Sequence, residues 1–149
     1  MTWSLHVTVA AVIARHDHFL LVEEQTDDGT RFNQPAGHLE PGETLIHAIR
    51  REVFEETARL FEPDALIGVY QYEMADKQRT YLRFCFSGSA GAADTERALD
   101  SEIVATHWFT LGEIQARHSS LRSPMVLQCI EDYRRGTRLP LGMLHYLTP

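Results

Sequence analysis

Three glutamates carry the strongest chemical signal in the chain. Glu52, Glu55 and Glu56 stand at i, i+3 and i+4 within a stretch from Thr44 to about Ala58. The apolar spacing of that stretch predicts a helix of roughly 15 residues, about 22 Å long. On a wheel of about 100° per residue, Leu45, Ile49 and Val53 share one face. Glu52 and Glu56 fall on almost the same face, with Glu55 beside Glu52. Carboxylates aimed toward a core are costly unless something positive meets them, and three together also repel. Two arrangements resolve the conflict. The second half of the helix turns to solvent, or the carboxylates hold hard divalent cations, since oxygen ligands suit magnesium or manganese. An E-x-x-E-E on its own reads as a solvated acidic patch.

The neighbouring residues reverse that reading. Gly37 and Gly42 open a tight loop before the helix, Glu43 precedes it, and Arg51 stands one residue before the cluster. Arg51 and Glu55 are spaced i, i+4, as in an ordinary helix-surface pair. The sharper alternative has Arg51 folded back onto Glu43, holding loop and helix in register. Gly37, five residues, Glu43, seven residues, then Arg51-Glu52-Val53-Phe54-Glu55-Glu56 resembles the Nudix box, G-x5-E-x7-R-E-U-x-E-E-x-G-U, where U is a bulky apolar residue. Two strand-like runs precede the box, Pro35 sits just before its glycine, and a strand with Trp108 follows well after it. Two positions depart: Ala58 replaces the last glycine, and Arg59 replaces the last apolar residue, with Leu60 one residue late. Neither departure removes a metal ligand. They concern how the helix ends, because alanine is a poorer left-handed cap than glycine.

The resemblance implies a fold and a chemistry. The fold class is α/β (α+β), a Nudix-type α/β/α sandwich with a mixed sheet. The chemistry is hydrolysis of a phosphoanhydride bond. Glu52, Glu55 and Glu56 are the implied ligands of one or more magnesium ions (Mg2+, with Mn2+ as a substitute), and the Gly37 carbonyl is a further ligand. The metal neutralises phosphate oxygens and acidifies a water, which attacks phosphorus and displaces a phosphate leaving group. Glu52 and Glu102 are the candidate general bases, with Asp100 a weaker one. Arg51 and Glu43 support the catalytic loop. His38, Arg79 and Arg83 are candidates for gripping substrate phosphates, against a bland reading of loop histidine and solvent-facing strand edge.

A narrower resemblance rests on the flanks. Asn33-Gln34-Pro35-Ala36-Gly37-His38-Leu39-Glu40 and Leu121-Arg122-Ser123-Pro124-Met125-Val126, with Tyr133, Gly136, Arg138, Pro140 and Leu141, resemble the bacterial NudJ-type phosphatases. That resemblance implies release of terminal phosphate from nucleoside diphosphates and triphosphates and from hydroxymethylpyrimidine diphosphate. The rivals are hydrolases of ADP-ribose, dinucleoside polyphosphates or capped RNA, and a catalytically silent binding module. ADP-ribose hydrolases carry a proline downstream of the box, and here none lies between Pro63 and Pro124. A silent module is expected to lose box carboxylates, and this chain keeps them.

The elements that must position these residues follow from local patterns. Val7 to Ala14 and Phe19 to Glu24 read as strands around the turn Arg15-His16-Asp17-His18. The two histidines of that turn read as solvated rather than metal-binding. Asn33 to Gly42 reads as irregular. Leu66 to Met74 and Arg79 to Ser87 read as strands around Asp76-Lys77-Gln78, and Thr106 to Phe109 as a short strand before a helix near Leu111 to Arg117. A last helix starts at Ser123-Pro124 and stops near Arg135-Gly136. Trp108 and Phe109 read as core. Strands mixed with helices and frequent hairpins argue for a mixed sheet flanked by helices. Ser87-Gly88-Ser89-Ala90-Gly91-Ala92-Ala93 is the nearest thing to a linker and is too short to separate a second domain, so residues 1–149 read as one domain.

Bulk properties bound the rest. The chain has 149 residues, 44% apolar and 23% charged, which suits one folded domain. Its net charge of −7, from 14 Lys+Arg against 21 Asp+Glu, is wrong for gripping a nucleic-acid backbone, so no DNA partner is expected. A bridging cation reconciles that charge with a small-molecule nucleotide or diphosphate substrate. Cys85 and Cys129 read as buried free thiols of a reducing cytoplasm. No run of about 18 apolar residues predicts a membrane span, and the N-terminus lacks signal-peptide features, so the expected location is cytoplasmic. The expected state is a monomer or small homo-oligomer. The Walker phosphate loop, G-x-S-x-G and H-E-x-x-H are absent.

Overall fold

A computed structural model describes residues 2–149. In chain order the elements are β1 (Ser4–Val12), β2 (Ala14–Arg15), β3 (His18–Thr26), β4 (Gly29–Asn33), β5 (Ala36–His38), α1 (Leu45–Thr57), β6 (Phe61–Met74), β7 (Arg79–Ala90), β8 (Ile103–Thr110), α2 (Leu111–Ala116) and α3 (Met125–Arg134). One sheet has the order β5-β1-β7-β6, with β1 parallel to β7 and the other pairings antiparallel. That is the mixed sheet the sequence implies. A second sheet joins β2, β3 and β4, with β8 also paired to β3.

Strand β1 shows why the molecule is layered. Successive side chains of a strand point to opposite faces. Val9, Ala11 and Ile13 therefore pack with Ile49 and Val53 of α1, while Ala10 and Val12 pack with Val126, Cys129 and Ile130 of α3. A strand covered on both faces reads as a continuous apolar run, which is what Val7 to Ala14 is. Each fully buried Ile, Leu or Phe in these two clusters contributes about 1.5–3 kcal/mol relative to exposure. The helices on opposite faces of the mixed sheet complete the α/β/α sandwich. Cys85 and Cys129 are free and buried in the cluster beneath α3.

Several boundaries differ from the sequence reading. β4 and β5 are short strands in or beside the stretch read as irregular. β6 begins at Phe61, ahead of the expected Leu66, and absorbs Pro63 beside register shifts at Pro63/Ala65 and Leu66/Gly68. β7 runs on to Ala90, so half of the supposed linker is strand. Gly88 pairs with Pro63 there, and a Cβ on it would sit 2.2 Å from the Glu62 carbonyl, so only glycine allows the approach. The His16-Asp17 turn has both residues at positive φ (47° and 61°) between Arg15 and His18, as a two-residue type I′ hairpin needs. No helix among the described residues is long and apolar enough to cross a membrane.

Candidate active site

Helix α1 is aimed by its ends and its apolar face. Thr44 caps it, its hydroxyl accepting from the His47 amide at 3.0 Å. Ile49 and Val53 are driven into the core, and the same rotation carries Glu52 and Glu56 inward to 8% and 7% exposure. The carboxylates thus continue the core face, as the wheel predicts. Glu56 Oε1 accepts from the Ala36 amide at 2.9 Å, tying α1 to β5. Gly37 follows, and a Cβ there would lie 2.1 Å from Glu52 Cδ. A side chain at the first glycine of the box would therefore displace the Glu52 carboxylate from its place in the cluster.

Arg51 satisfies both readings of its spacing at once. Its Nε and Nη2 donate to the two oxygens of Glu43 at 3.0 and 2.6 Å, a bidentate pair. Its Nη1 donates to Glu52 at 2.8 Å and Glu55 at 3.3 Å, and Nη2 also reaches the His38 carbonyl at 3.1 Å. The guanidinium therefore fastens the loop before α1 to the carboxylate turn within it. It holds the Glu43 carboxyl down at about 2, and Glu43 in turn raises the Arg51 pKa further.

Oxygens of Glu52, Glu55 and Asp100 lie within 4.8 Å of one another. Asp100 arrives on the segment between β7 and β8, which docks on the end of α1: Asp94 N–H donates to the Ala58 carbonyl at 2.9 Å and Asp100 N–H to the Glu55 carbonyl at 3.0 Å. Ala58 itself caps α1 at φ 58°, so alanine takes the left-handed role of the missing glycine. Burial, reinforced by Glu55 and Asp100, lifts Glu52 to about 7 against the opposing pull of Arg51. Burial, with Glu52, Glu24 and Asp100 nearby, lifts Glu56 to about 9. Clustered carboxylates that resist ionisation, with a glycine leaving room beside them, fit a hard divalent cation.

A cavity of about 590 Å³ opens from this cluster. Gly37, Glu52, Glu56, Asp100 and Glu102 line one end of it, and His38, Arg79 and Arg83 line another region. Glu55, Arg51 and Glu43 stand behind the wall. Arg83 is not on a solvent-facing edge, because β7 lies inside the sheet between β1 and β6. It is 4% exposed and donates to Gln34 at 2.8 Å and Asn33 at 3.1 Å, while its Nε finds no partner among the described residues. Arg79 is exposed at the far end, and His38 Nε2 lies 3.0 Å from His6 Nδ1.

Sequence reasoning did not single out Glu24, and it gave Asp100 only as a weaker candidate base, without placing it among the clustered carboxylates as the structure does. Glu24 lines the cavity from β3, takes hydrogen bonds from Asn33 and Arg122, and is raised by burial. Its signal was a pair of glutamates closing an apolar strand.

The NUDIX domain family matches residues 4–129. The chain belongs to the Nudix family. Phosphatase NudJ of Escherichia coli strain K12 is 40% identical to it over 139 residues, spanning 93% of this chain and 90% of that protein. Phosphatase NudJ of Shigella sonnei matches to the same extent. A solved Nudix hydrolase from Nitrosomonas europaea is 50% identical, covers 95% of this chain and 97% of its own, and superposes with a TM-score of 0.92. The MutT protein of Methanosarcina mazei, 22% identical with a TM-score of 0.75, shares the fold. This Nudix chain is accordingly a hydrolase of pyrophosphate bonds in small nucleotide-like molecules. The family's use of a divalent metal agrees with the acidic cluster.

Proposed function

We propose that the chain is a magnesium-dependent phosphatase that removes orthophosphate from nucleoside diphosphates and triphosphates and from related diphosphates such as hydroxymethylpyrimidine diphosphate, with residues 1–149 acting as one domain. One observation carries the reading: Glu52, Glu56 and Asp100 line a cavity that also holds arginines, and Glu55 behind the wall converges with Glu52 and Asp100. The similarity to proteins called NudJ phosphatases supports the choice of orthophosphate as product.

Glu52, Glu55, Glu56 and the Gly37 carbonyl would hold Mg2+, or Mn2+ in its place, and Asp100 joins them. When bound, the cation supplies charge neutralisation of phosphate oxygens and a more acidic water. The chain's own residues do the rest. Glu52 and Glu102 are the candidates to take the water's proton, and both face the cavity. Arg51 and Glu43 keep loop and helix in register. Arg83 and His38 bind the phosphates, while Arg79 lines the cavity at its far, exposed end.

Product analysis tests this. With GTP and magnesium, the first products are GDP and orthophosphate, and GDP is then cut again. GMP and pyrophosphate as the sole initial products would overturn the phosphatase reading and leave the Nudix hydrolase standing.

A further inference from the structure

The mixed sheet continues past α3, and its uncovered face bears an ordered series of side chains. The register sets the series out in levels. Arg83 stands opposite Thr8 of β1 and Tyr70 of β6. Two residues further out, Tyr81 stands between His6 and Tyr72. Two further still, Arg79 stands between Ser4 and Met74. On the carboxylate side, Ala36 pairs with Ala10 and donates to Glu56. Along β1, Ala10 to His6 is four residues, about 13 Å at roughly 3.3 Å per residue. The cavity floor therefore reads, in order, carboxylates, buried guanidinium, aromatic rings, exposed guanidinium.

The rings are not there to pin the fold. Tyr70, at the Arg83 level, is locked by its hydroxyl to Asp132 at 2.6 Å. Tyr72 and Tyr81 line the cavity half-buried, and among the described residues neither hydroxyl has a side-chain or backbone partner. Behind Tyr81, His6 stacks at 5.0 Å between ring centres and is itself held by Ser4 and His38, each at 3.0 Å. Tyr72 also borders a second cavity of about 380 Å³. Half-exposed rings on a strand platform, beside positive charge, are the means by which proteins hold planar heteroaromatic rings without reading their edges.

We propose that Tyr72 and Tyr81 form a stacking subsite for the heteroaromatic ring of the substrate, with His6 as a residue that positions Tyr81. This deepens the phosphatase reading and rests on it for the placing of phosphate at the carboxylate end. The order along the floor matches the order along a nucleotide, in which phosphates are separated from the ring by a sugar. Stacking accepts any planar ring, so purine and pyrimidine nucleobases are equally served.

The test compares binding of GMP with ribose 5-phosphate, which has the same sugar and phosphate but no ring. Neither offers a phosphoanhydride to cut, so calorimetry on the full chain with magnesium reads affinity alone. Wild type should bind GMP at least about tenfold more tightly than ribose 5-phosphate. The double variant Tyr72→Leu/Tyr81→Leu should bring that ratio close to one, and Tyr72→Phe/Tyr81→Phe should keep it. His6→Leu should lower the ratio, and His6→Phe, which keeps a stacked ring, should restore it. UMP in place of GMP should give the same pattern. A wild-type ratio near one, or a ratio unmoved by the leucine variants, overturns the subsite. Failure of the phosphatase reading shows separately, as absence of orthophosphate release from GTP with the affinity ratio intact.

Discussion

Glu56 is the residue at which structure and chemistry are most at odds without a cation. Its carboxyl is 7% exposed, raised to about 9 by burial, and held by one backbone amide. Glu56→Gln keeps the shape and an oxygen to accept from Ala36, but it removes the charge a metal ligand needs. Magnesium-dependent turnover should fall by at least about a hundredfold, while the thermal midpoint without metal holds at neutral pH and rises toward pH 9, where the wild-type carboxyl must ionise in a buried site. Near-wild-type turnover in that variant would show that Glu56 holds no metal. The box residues were legible from sequence because the chemistry fixes their spacing along one helix. Asp100 was less so, because it reaches the cluster on a segment docked through backbone contacts, Asp94 to Ala58 and Asp100 to Glu55, that no local pattern announces. For Arg83 the sequence left a substrate-facing residue and a solvent-facing strand edge open; it is buried, lines the cavity and donates to Asn33 and Gln34, a placement that comes from β7 lying inside the sheet.

At the scale of elements, α1 was the most legible because its period, cap and apolar face agree. The short β4 and β5 were not, because strands of five and three residues owe their existence to partners rather than propensity. The early start of β6 was hidden by Pro63, which an edge strand tolerates. The end of α1 offers a test of local consistency. Ala58 sits at φ 58° with its amide donating to the Phe54 carbonyl, a conformation in which Cβ crowds the next carbonyl. Its side chain is small, so glycine loses little packing. Ala58→Gly, which restores the family's residue, should raise the unfolding free energy by about 1 kcal/mol in urea titration with an unchanged slope. A loss of stability instead would mean that the buried methyl matters more than the backbone strain.

For the molecule as a whole, the carboxylate cluster makes stability depend on pH and metal together. Glu56 and Glu52 have folded-state values of about 9 and 7 against an ordinary 4.5. Above 4.5 the unfolded chain has released these protons and the folded chain still holds them. Stability of the metal-free protein must then fall as pH rises, by up to about 1.4 kcal/mol per pH unit per group. Glu43 does not oppose this, because its lowered value of about 2 confines its contribution to the range below 4.5, where stability is lost as pH falls. His38, lowered by burial and by His6, acts in the opposite sense, but only below 6.5. Between pH 7 and 9 the fall comes mainly from Glu56, because Glu52 has largely released its proton by then, and the lowered Cys129 thiol works against it. A divalent cation competes with those protons, so its stabilisation should grow with pH across the same window. Urea unfolding between pH 7 and 9, with a chelator or with magnesium, measures both quantities. The expected result is a decline in the chelator, a smaller decline in magnesium, and a flattened chelator series for Glu56→Gln. Metal-free stability that is level or rising from pH 7 to 9 would mean that Glu56 ionises freely in the fold, and the cation would then have no buried charge to relieve.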